Sequence, residues 1–536
     1  MLSLLPPLLV LTLGFLTRRV IISLAAGIIL AAFIATNFSP SDTLVLIGDC
    51  LWINFEFDKF FSTTKFWETW NLFICIFLFI LGIFVCLLQH SGGAYAYGTF
   101  IRKTIHNRQS AETSSLLMST SLFIDDYFSS LTVGSVMYPL TDTQQVPRAK
   151  LSFLVDSMSA PLAILCPFSS WVAAILGFLR ENGISSEIKE TTLILGSPLT
   201  TYFNLIPFLF YSFVLIASTW FIVRFRIAFG LMKKHEDIAK ASGNLFGGET
   251  DIKLNGNGQE HNPHHTTLSD FFLPVIMLLI CVIGGMLYSG DWQVFGGART
   301  AFQALQYSSA AIALFLGGII ALIGCTLFFI IRKRIPLRSL PKIYLEGLQL
   351  MLPAVVVLML AWSLGDILRN QLNTGEYLAK FMLDSVSIHL LPALLFFAST
   401  LVSFTIGSSW GTAAMMFPIA IPMVLSFMDT SATPTLVQTP ILFPVLGAVL
   451  SGCVAGDHIS PISDTTIMSA TSTRTPHMDH VRTQIPYALP MIIMTGIGFL
   501  LSSYLMSNGF WISSLVPIIV AILSTIFILW QLNDKN

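Results

Sequence analysis

Long apolar stretches, separated by short polar segments, run along almost the whole chain. An apolar helix needs about 20 residues to cross the roughly 30 Å hydrocarbon core of a bilayer. Some stretches are too long for one crossing, and others are short or interrupted by Gly and Pro. The pattern therefore predicts an all-α polytopic membrane protein with about 11–13 transmembrane helices. The candidate segments lie near residues 2–17, 20–36, 70–89, 115–139, 151–179, 192–228, 271–289, 307–331, 345–366, 389–406, 408–427, 440–456, 484–505 and 510–530.

One polar segment, residues 233–269, interrupts this pattern with Gly, Asn and charged residues. Its composition predicts a flexible linker, and the Lys and Arg residues before it predict a cytoplasmic position. The linker holds four histidines, His235, His261, His264 and His265. A solvated loop is favoured there over a weak metal site. The chain then divides into N-terminal helices with an external loop (1–69), a first transport repeat (70–232), the linker, and linking helices with a second transport repeat (270–536).

Composition narrows the class of protein further. Only 11% of the residues are charged and 54% are hydrophobic, whereas soluble domains carry about 25% charged residues. The net charge of −1 gives no field that would attract nucleic acid. The 7 cysteines form no CxxC or Cys/His metal pattern, so they are expected to be small apolar residues. The N-terminus is apolar before it is basic, the reverse of a cleaved signal peptide, and predicts a retained first helix.

The two halves of the chain share a pattern of polar residues. An offset of 331 residues (457 − 126) pairs Asp126 with Asp457, Ser129 with Ser460 and Met137 with Met468. Other positions at the same offset carry similar residues. Weak similarity between halves, with broken helices at matching places, is typical of transporters built from repeats.

Acidic and hydroxyl residues are concentrated at three places within apolar sequence. A charged residue near the centre of a membrane helix costs at least about 2.5 kcal/mol, so each one needs a function or a partner. Pro461 and the Gly and Pro residues of 404–422 predict broken helices, which are tolerated where they line a cavity. The candidate site residues of the first half are Asp125, Asp126 and Asp156. Those of the second half are Ser408 and Thr412, within 404–422, and Asp457, His458, Ser460, Ser463 and Asp464.

Carboxylates, hydroxyls and the free carbonyls of unwound helices suit a small hard cation such as Na⁺. Burial favours the protonated form of a carboxylate, so one site can hold a proton or a metal ion in turn. We expect Na⁺ at Asp457, Asp464, Asp126 and Asp156. Competition between the two ions for one site is sufficient for exchange if the site opens to one side at a time.

Structural explanations compete with this hypothesis. Asp125 and Asp126 could cap a helix, and Asp156 could pair with Arg148 or Lys150. His458 could be a ligand, a proton carrier or part of a packed wall. Asp366 is expected to be an anchor or a cap. Interfacial pairs are expected for Asp142, Asp479, His477, His480 and Arg482.

The motifs in these regions resemble those of the NhaC-type Na⁺/H⁺ antiporter family of bacterial inner membranes. The most specific is GDHISPISDTT at 456–466, and FIDDYFSSLTVGSVMYPLTD, VDSMSAP, PFSSW and GSSWGT occur in the expected order. The resemblance implies a secondary exchanger with two repeats of inverted topology and re-entrant hairpins. It also implies that Asp126, Asp156, Asp457 and Asp464 lie close to the transport site. Relatives often carry Arg where this chain has Tyr138, which bears on the partner of Asp142 or Asp125.

We therefore expect a multi-pass Na⁺/H⁺ antiporter of the bacterial inner membrane that works by alternating access. Na⁺, H⁺ and the lipid bilayer are the expected partners, without a cofactor or nucleic acid, and a homodimer is left open. A Na⁺- or H⁺-coupled transporter of a small carboxylate or amino acid is the alternative. An intramembrane protease is disfavoured because the order of Tyr127 and Asp126 is wrong and VAGD at 454–457 differs from GxGD. A passive channel is the remaining option, since coupling has no sequence signature.

Overall fold

The computed structural model describes residues 3, 5–17, 19–62, 65–102, 105–167, 169–188, 191–248, 266–306, 308–372, 387–427 and 433–533. The linker histidines His261, His264 and His265 lie outside these residues.

Helices dominate the first half of the chain. They are α1 (Leu5–Thr17), α2 (Val20–Ala35), α3 (Pro40–Phe55), α4 (Phe57–Phe60), α5 (Asn71–His90), α6 (Gly93–Arg102), α7 (Arg108–Ser121), α8 (Asp126–Asp142), α9 (Arg148–Leu165), α10 (Ser170–Glu181), α11 (Pro198–Leu205), α12 (Phe210–Phe225) and α13 (Gly230–Ser242). Two short parallel strands, β1 (Ile184–Ser185) and β2 (Ile194–Leu195), pair between α10 and α11.

The second half continues in the same way. Its helices are α14 (Ser269–Ser289), α15 (Ala301–Gln306), α16 (Ala310–Ile331), α17 (Leu340–Asp366), α18 (Leu391–Ile406), α19 (Ser409–Ser426), α20 (Leu442–Ile459), α21 (Asp464–Ser472), α22 (His477–Tyr504) and α23 (Phe510–Leu532).

Within the described residues, 10 helices are long and apolar enough to cross a membrane. The count rises to 11 if α9 and α10, which meet at a bend of 49°, form one broken crossing. The prediction of a helical polytopic membrane protein is confirmed, with a count at or just below the lower end of the predicted range. The first two predicted crossings are helical, but α1 and α2 have only 13 and 16 residues.

Several predicted segments are divided differently in the structure. The stretch 115–139 is two helices, because α7 ends at Ser121 and α8 begins at Asp126. The long stretch 192–228 is not one helix, since α11 begins at Pro198 and α12 begins at Phe210. The predicted external loop in 1–69 is mostly helical, because α3 fills Pro40–Phe55.

The start of the predicted linker is also helical. The first ten residues of 233–269 belong to α13, whose Glu236 is only 5% exposed. Glu236 Oε1 lies 2.5 Å from Lys150 Nζ on α9, which also lies 3.4 Å from Glu112 Oε1 on α7. Arg108 Nη1 approaches the other Glu236 oxygen at 3.7 Å. These four residues form a buried charge cluster that joins α13 to α7 and α9.

Close packing of α18 against α20 fixes the position of the second-half acidic motif. Gly452 and Gly456 are one turn apart on α20, a spacing that lets helix backbones approach closely. A Cβ atom at either position would meet the backbone of Phe396 or Thr400 on α18. Asp457 follows directly, so this contact holds the end of α20 against α18.

Candidate functional site

Four helices that follow a break begin with a polar N-cap residue. The caps are Asp125 before α8, Ser169 before α10, Ser408 before α19 and Ser463 before α21. Each side chain accepts a hydrogen bond from the backbone N–H three residues later, at 2.8–3.3 Å. Helix ends of this kind carry partial charges and free backbone groups. The broken helices therefore bring several polar helix ends into the interior of an apolar bundle.

Three of the predicted carboxylates meet at one small cavity. Its lining residues are Asp126, Tyr127, Ser408, Ser409, Trp410, Asp457, Asp464 and Thr465. They come from the starts of α8, α19 and α21 and from the end of α20. Asp126 and Asp457 are buried, while Asp464 is exposed. The cavity therefore has a buried acidic floor and an open edge at Asp464.

Each of these carboxylates accepts a hydrogen bond from a different element. Trp171 Nε1 of α10 donates to Asp126 Oδ2 at 2.9 Å. Thr465 Oγ1 of α21 donates to Asp457 Oδ2 at 2.6 Å. The Tyr127 hydroxyl of α8 donates to Asp464 Oδ2 at 3.4 Å, across the cavity. Of these three bonds, the one between Tyr127 and Asp464 joins the two halves of the chain.

Asp156, the fourth predicted carboxylate, lies behind this cavity and does not line it. Its Oδ2 accepts from Gln484 Nε2 at 2.8 Å and from Thr466 Oγ1 at 3.1 Å. His480 Nε2 lies 3.2 Å from the same oxygen. Neither Arg148 nor Lys150 is its partner, because Arg148 pairs with Asp142 and Lys150 with Glu112 and Glu236.

His458 is held on both ring nitrogens. Nε2 lies 3.1 Å from Ser157 Oγ on α9, and Nδ1 lies 2.9 Å from the Tyr211 hydroxyl on α12. The ring is buried and does not line the acidic cavity. Of the roles considered for His458, this geometry fits best a hydrogen-bonded wall beside the break.

The predicted neutral oxygens divide into two groups. Ser408 lines the cavity. The hydroxyls of Thr412 and Ser460 instead donate to backbone carbonyls, of Ser408 at 2.8 Å and of Phe404 at 2.7 Å. Ser463 caps α21 and lies 3.0 Å from Thr465 Oγ1, so it supports the residue that holds Asp457. Asp125 caps α8, which is the structural alternative given for it in the sequence analysis.

The expected interfacial pairs are only partly present. Asp142 does pair with Arg148, at 2.7 Å, and the Tyr138 ring lies 4.8 Å from the guanidinium carbons of Arg148 and Arg474. The expectation for His480 is wrong, because this residue is fully buried against Asp156. The Tyr138 ring therefore lies against two arginines, and Asp142 has Arg148 as its partner although position 138 carries no Arg.

The proposed equivalence of Asp126 and Asp457 does not hold at the level of the elements. Asp126 is the first residue of α8, whereas Asp457 lies near the end of α20. The residue with the same place as Asp126 is Asp464, the first residue of α21 after the cap Ser463. The offset of 331 therefore matches residue types and not helix positions, and inverted topology stays a prediction.

The acidic cavity is not a ready-made metal centre. In the part of the chain that the structure describes, no group of three or more His, Cys, Asp or Glu side chains is placed to hold a metal ion. The carboxylates share a cavity without converging on one point. A cation in this cavity would therefore also use hydroxyl groups, such as those of Ser408 and Ser409, or water.

Sequence comparisons decide the family. The profile of the Na⁺/H⁺ antiporter family matches residues 162–504. The chain belongs to the Na⁺/H⁺ antiporter family. An uncharacterized protein of Haemophilus influenzae is 31% identical over 97% of this chain and 95% of its own length. The malate-2H⁺/Na⁺-lactate antiporter of Bacillus subtilis is 28% identical over 43% of this chain and 44% of its own length.

Two solved transporter structures are more distant from this family member. The YdaH transporter of Alcanivorax borkumensis has 14% identity and a TM-score of 0.43, over 87% of this chain and 90% of its own. MtrF of Neisseria gonorrhoeae, from a class of antimetabolite efflux pumps, has 14% identity and a TM-score of 0.47, over 86% of this chain and 84% of its own. A likeness at this level carries no conclusion about substrate.

Membership in the Na⁺/H⁺ antiporter family makes the protein a membrane transporter of the cation-antiporter type and not an enzyme. The acidic cavity is the part of the described structure that suits such a role, because it joins buried carboxylates with helix breaks.

Proposed function

We propose that this protein exchanges Na⁺ for H⁺ across the bacterial inner membrane by alternating access. Asp126, Asp457 and Asp464 supply the charge, with Ser408 and the Thr465 hydroxyl as neutral oxygens beside them. The supporting observation is that three carboxylates share one cavity whose lining includes no Lys or Arg. Like charges repel strongly in a medium of low dielectric constant, so such a cavity is stabilised by protons or by a cation.

The unequal exposure of the three carboxylates supports alternating access. Asp464 is exposed, while Asp126 and Asp457 are 1% and 2% exposed. Asp464 and its hydrogen bond to Tyr127 lie at the exposed edge of the cavity. Exchange then requires a second conformation that opens the floor to the other side.

The test is Na⁺-driven proton movement in everted membrane vesicles that contain the protein. Addition of Na⁺ or Li⁺ should cause dequenching of a pH-sensitive dye, and vesicles with Asp457→Asn should respond weakly. An Asp→Asn change at exposed Asp237, whose partner is Lys233 at 2.8 Å, is the matched control. Absence of any response to Na⁺ or Li⁺ from about pH 6 to 9 would reject the proposal, since a carboxylate site titrates within or below that range.

Exchange that involves a small organic acid is the second candidate. It is favoured by the similarity to the malate-2H⁺/Na⁺-lactate antiporter of Bacillus subtilis. A carboxylate substrate usually needs a cationic or amide anchor. Within the described residues, the buried Lys150 and Arg148 are paired with acids outside the cavity. Counterflow of labelled malate and lactate in proteoliposomes distinguishes the two candidates, and uptake of either acid would favour the second.

A further inference from the structure

Asp156 has the contacts of a structural anchor. Its carboxylate faces donors from two other helices, α21 and α22. A carboxylate has about four lone-pair positions. Oδ2 already has three partners, and Oδ1 accepts from Ser469 Oγ at 3.4 Å. Little capacity is left for a metal ion, and the residue does not reach the acidic cavity.

The donors on α22 lie on one face. His480 and Gln484 are four residues apart and therefore lie one turn apart on the helix surface. A carboxylate only accepts hydrogen bonds, so His480 Nε2 acts as the donor towards it. Gln484 Nε2 also donates to the backbone carbonyl of His458, next to the break between α20 and α21. The face of α22 thus supports both Asp156 and the end of α20.

The donors on α21 separate the two sides of that short helix. Thr466 and Ser469, three residues apart, are turned towards Asp156 and are buried. Asp464 and Thr465 are turned towards the acidic cavity. The hydroxyl of Thr466 also lies 3.4 Å from the carbonyl oxygen of Asp457. A shift of α21 relative to Asp156 would therefore move Asp464 and Thr465 relative to Asp457.

We propose that His480, Gln484 and Thr466 are positioning residues, which act through Asp156 to hold α21 where Asp464 and Thr465 complete the Na⁺ site. The inference rests on the proposed Na⁺/H⁺ exchange and assigns Asp156 a supporting role beside the ion. The pairing of His480 with Asp156 then serves geometry and carries no transported proton.

Two pairs of variants test the inference. His480→Leu and Thr466→Val remove a donor to Asp156, whereas His480→Gln and Thr466→Ser keep a donor of similar reach. His480→Leu and Thr466→Val should each raise the KM for Na⁺ by about tenfold or more, because each removes a hydrogen bond to a charged group. The maximal rate at saturating Na⁺ should stay within about twofold, because the ligands themselves remain. The donor-keeping variants should restore the KM to within about threefold of the parent value.

Three results would contradict the inference. If His480→Gln loses exchange or changes its pH profile, His480 carries a proton, since glutamine does not titrate. If size-exclusion chromatography shows that the donor-removing variants are folded but they keep the parent KM, the contacts do not position the Na⁺ site. If the donor-keeping variants fail to restore the KM, the hydrogen bonds to Asp156 are not the cause. Absence of Na⁺-driven proton movement in the parent protein would instead reject the proposed function itself.

Discussion

At the scale of single residues, the three cavity carboxylates differ in their surroundings. Asp126 accepts a hydrogen bond from the Trp171 indole and Asp457 from the Thr465 hydroxyl. Asp464, at the open edge, accepts one from the Tyr127 hydroxyl. A buried carboxylate with a neutral donor keeps its negative charge uncompensated. Asp126 and Asp457 are therefore the residues whose charge should matter most for cation binding.

Asp457→Asn should raise the KM for Na⁺ by more than about a hundredfold. Removal of a unit charge about 4 Å from a cation costs about 4 kcal/mol at an effective dielectric constant near 20. The side chain keeps its size and an oxygen that can accept from Thr465. Initial rates of Na⁺-driven proton movement give the KM. A KM equal to that of the Asp237→Asn control would place the charge of Asp457 outside the binding step.

Trp171→Phe should weaken Na⁺ binding by about tenfold, because a hydrogen bond to a charged group contributes about 1.5–3 kcal/mol. The change removes the N–H that donates to Asp126 and keeps an aromatic ring beside Trp410, 5.4 Å away. Trp362→Phe is the control, since Trp362 is also buried and its Nε1 has no hydrogen-bond partner in the described structure. An equal loss in both variants would point to packing as the cause.

The sequence located Asp126, Asp457 and Asp464, because a carboxylate within an apolar run is rare and costly. It placed Asp156 near the same site but gave no indication of its partners. His480 and Gln484 lie 324 and 328 residues away along the chain. Their positions in a helix with mixed polar and apolar residues give no periodic signal. Such contacts depend on how distant helices pack, which one sequence does not specify.

At the scale of elements, the site consists of helix ends. Pro461 predicted the break after α20, and Gly407 marks the one before α19. The break expected from Pro418 and Pro422 is wrong, because both lie inside α19. The repeat alignment failed because similar residues occur both at the end of α20 and at the start of α8. Residue type alone does not distinguish the two ends of a helix. The helix starts at Asp126 and Asp464 share a polar N-cap, which is the more reliable structural match.

Gly407→Ala should destabilise the protein more than Gly230→Ala. Both glycines have positive φ values, +71° and +58°, for which an alanine costs about 1–2 kcal/mol. A Cβ at Gly407 would also lie 2.5 Å from the carbonyl oxygen of Ile462 at the break, whereas nothing lies within 4 Å at Gly230. Thermal unfolding in detergent measures the difference. Equal melting temperatures for the two variants would show that a Cβ at Gly407 does not clash with Ile462 in the break between α20 and α21.

At the scale of the whole molecule, the buried charge cluster around Glu236 and Lys150 connects α13 to α7 and α9. Lys150 is 2% exposed and its charge is compensated by two carboxylates. No sequence pattern indicated this cluster, because Glu236 belongs to a segment whose composition is typical of a linker. Burial of α13 against the bundle overrides that local composition.

Lys150→Met should lower the free energy of unfolding by about 3–5 kcal/mol, because it removes the buried cation shared by Glu112 and Glu236 and leaves Glu236 with the more distant Arg108. Lys233→Met is the control. Its partner Asp237 is exposed, and surface pairs contribute about 1 kcal/mol or less. Unfolding in detergent, followed by tryptophan fluorescence, compares the two. Similar stability of both variants would mean that Glu112 and Glu236 do not depend on Lys150.

The hydrogen bonds around α21 have a consequence for how the transporter changes shape. Ser472 donates to the carbonyl oxygen of Ser130 on α8 at 2.7 Å, and Thr473 lies 2.7 Å from Ser152 on α9. Together with Asp156, these contacts fasten a second-half helix to two first-half helices. Any rearrangement that keeps them must carry these helices as a single unit. The dividing surface between moving and stationary parts would then cut across both halves, rather than follow the midpoint of the polypeptide.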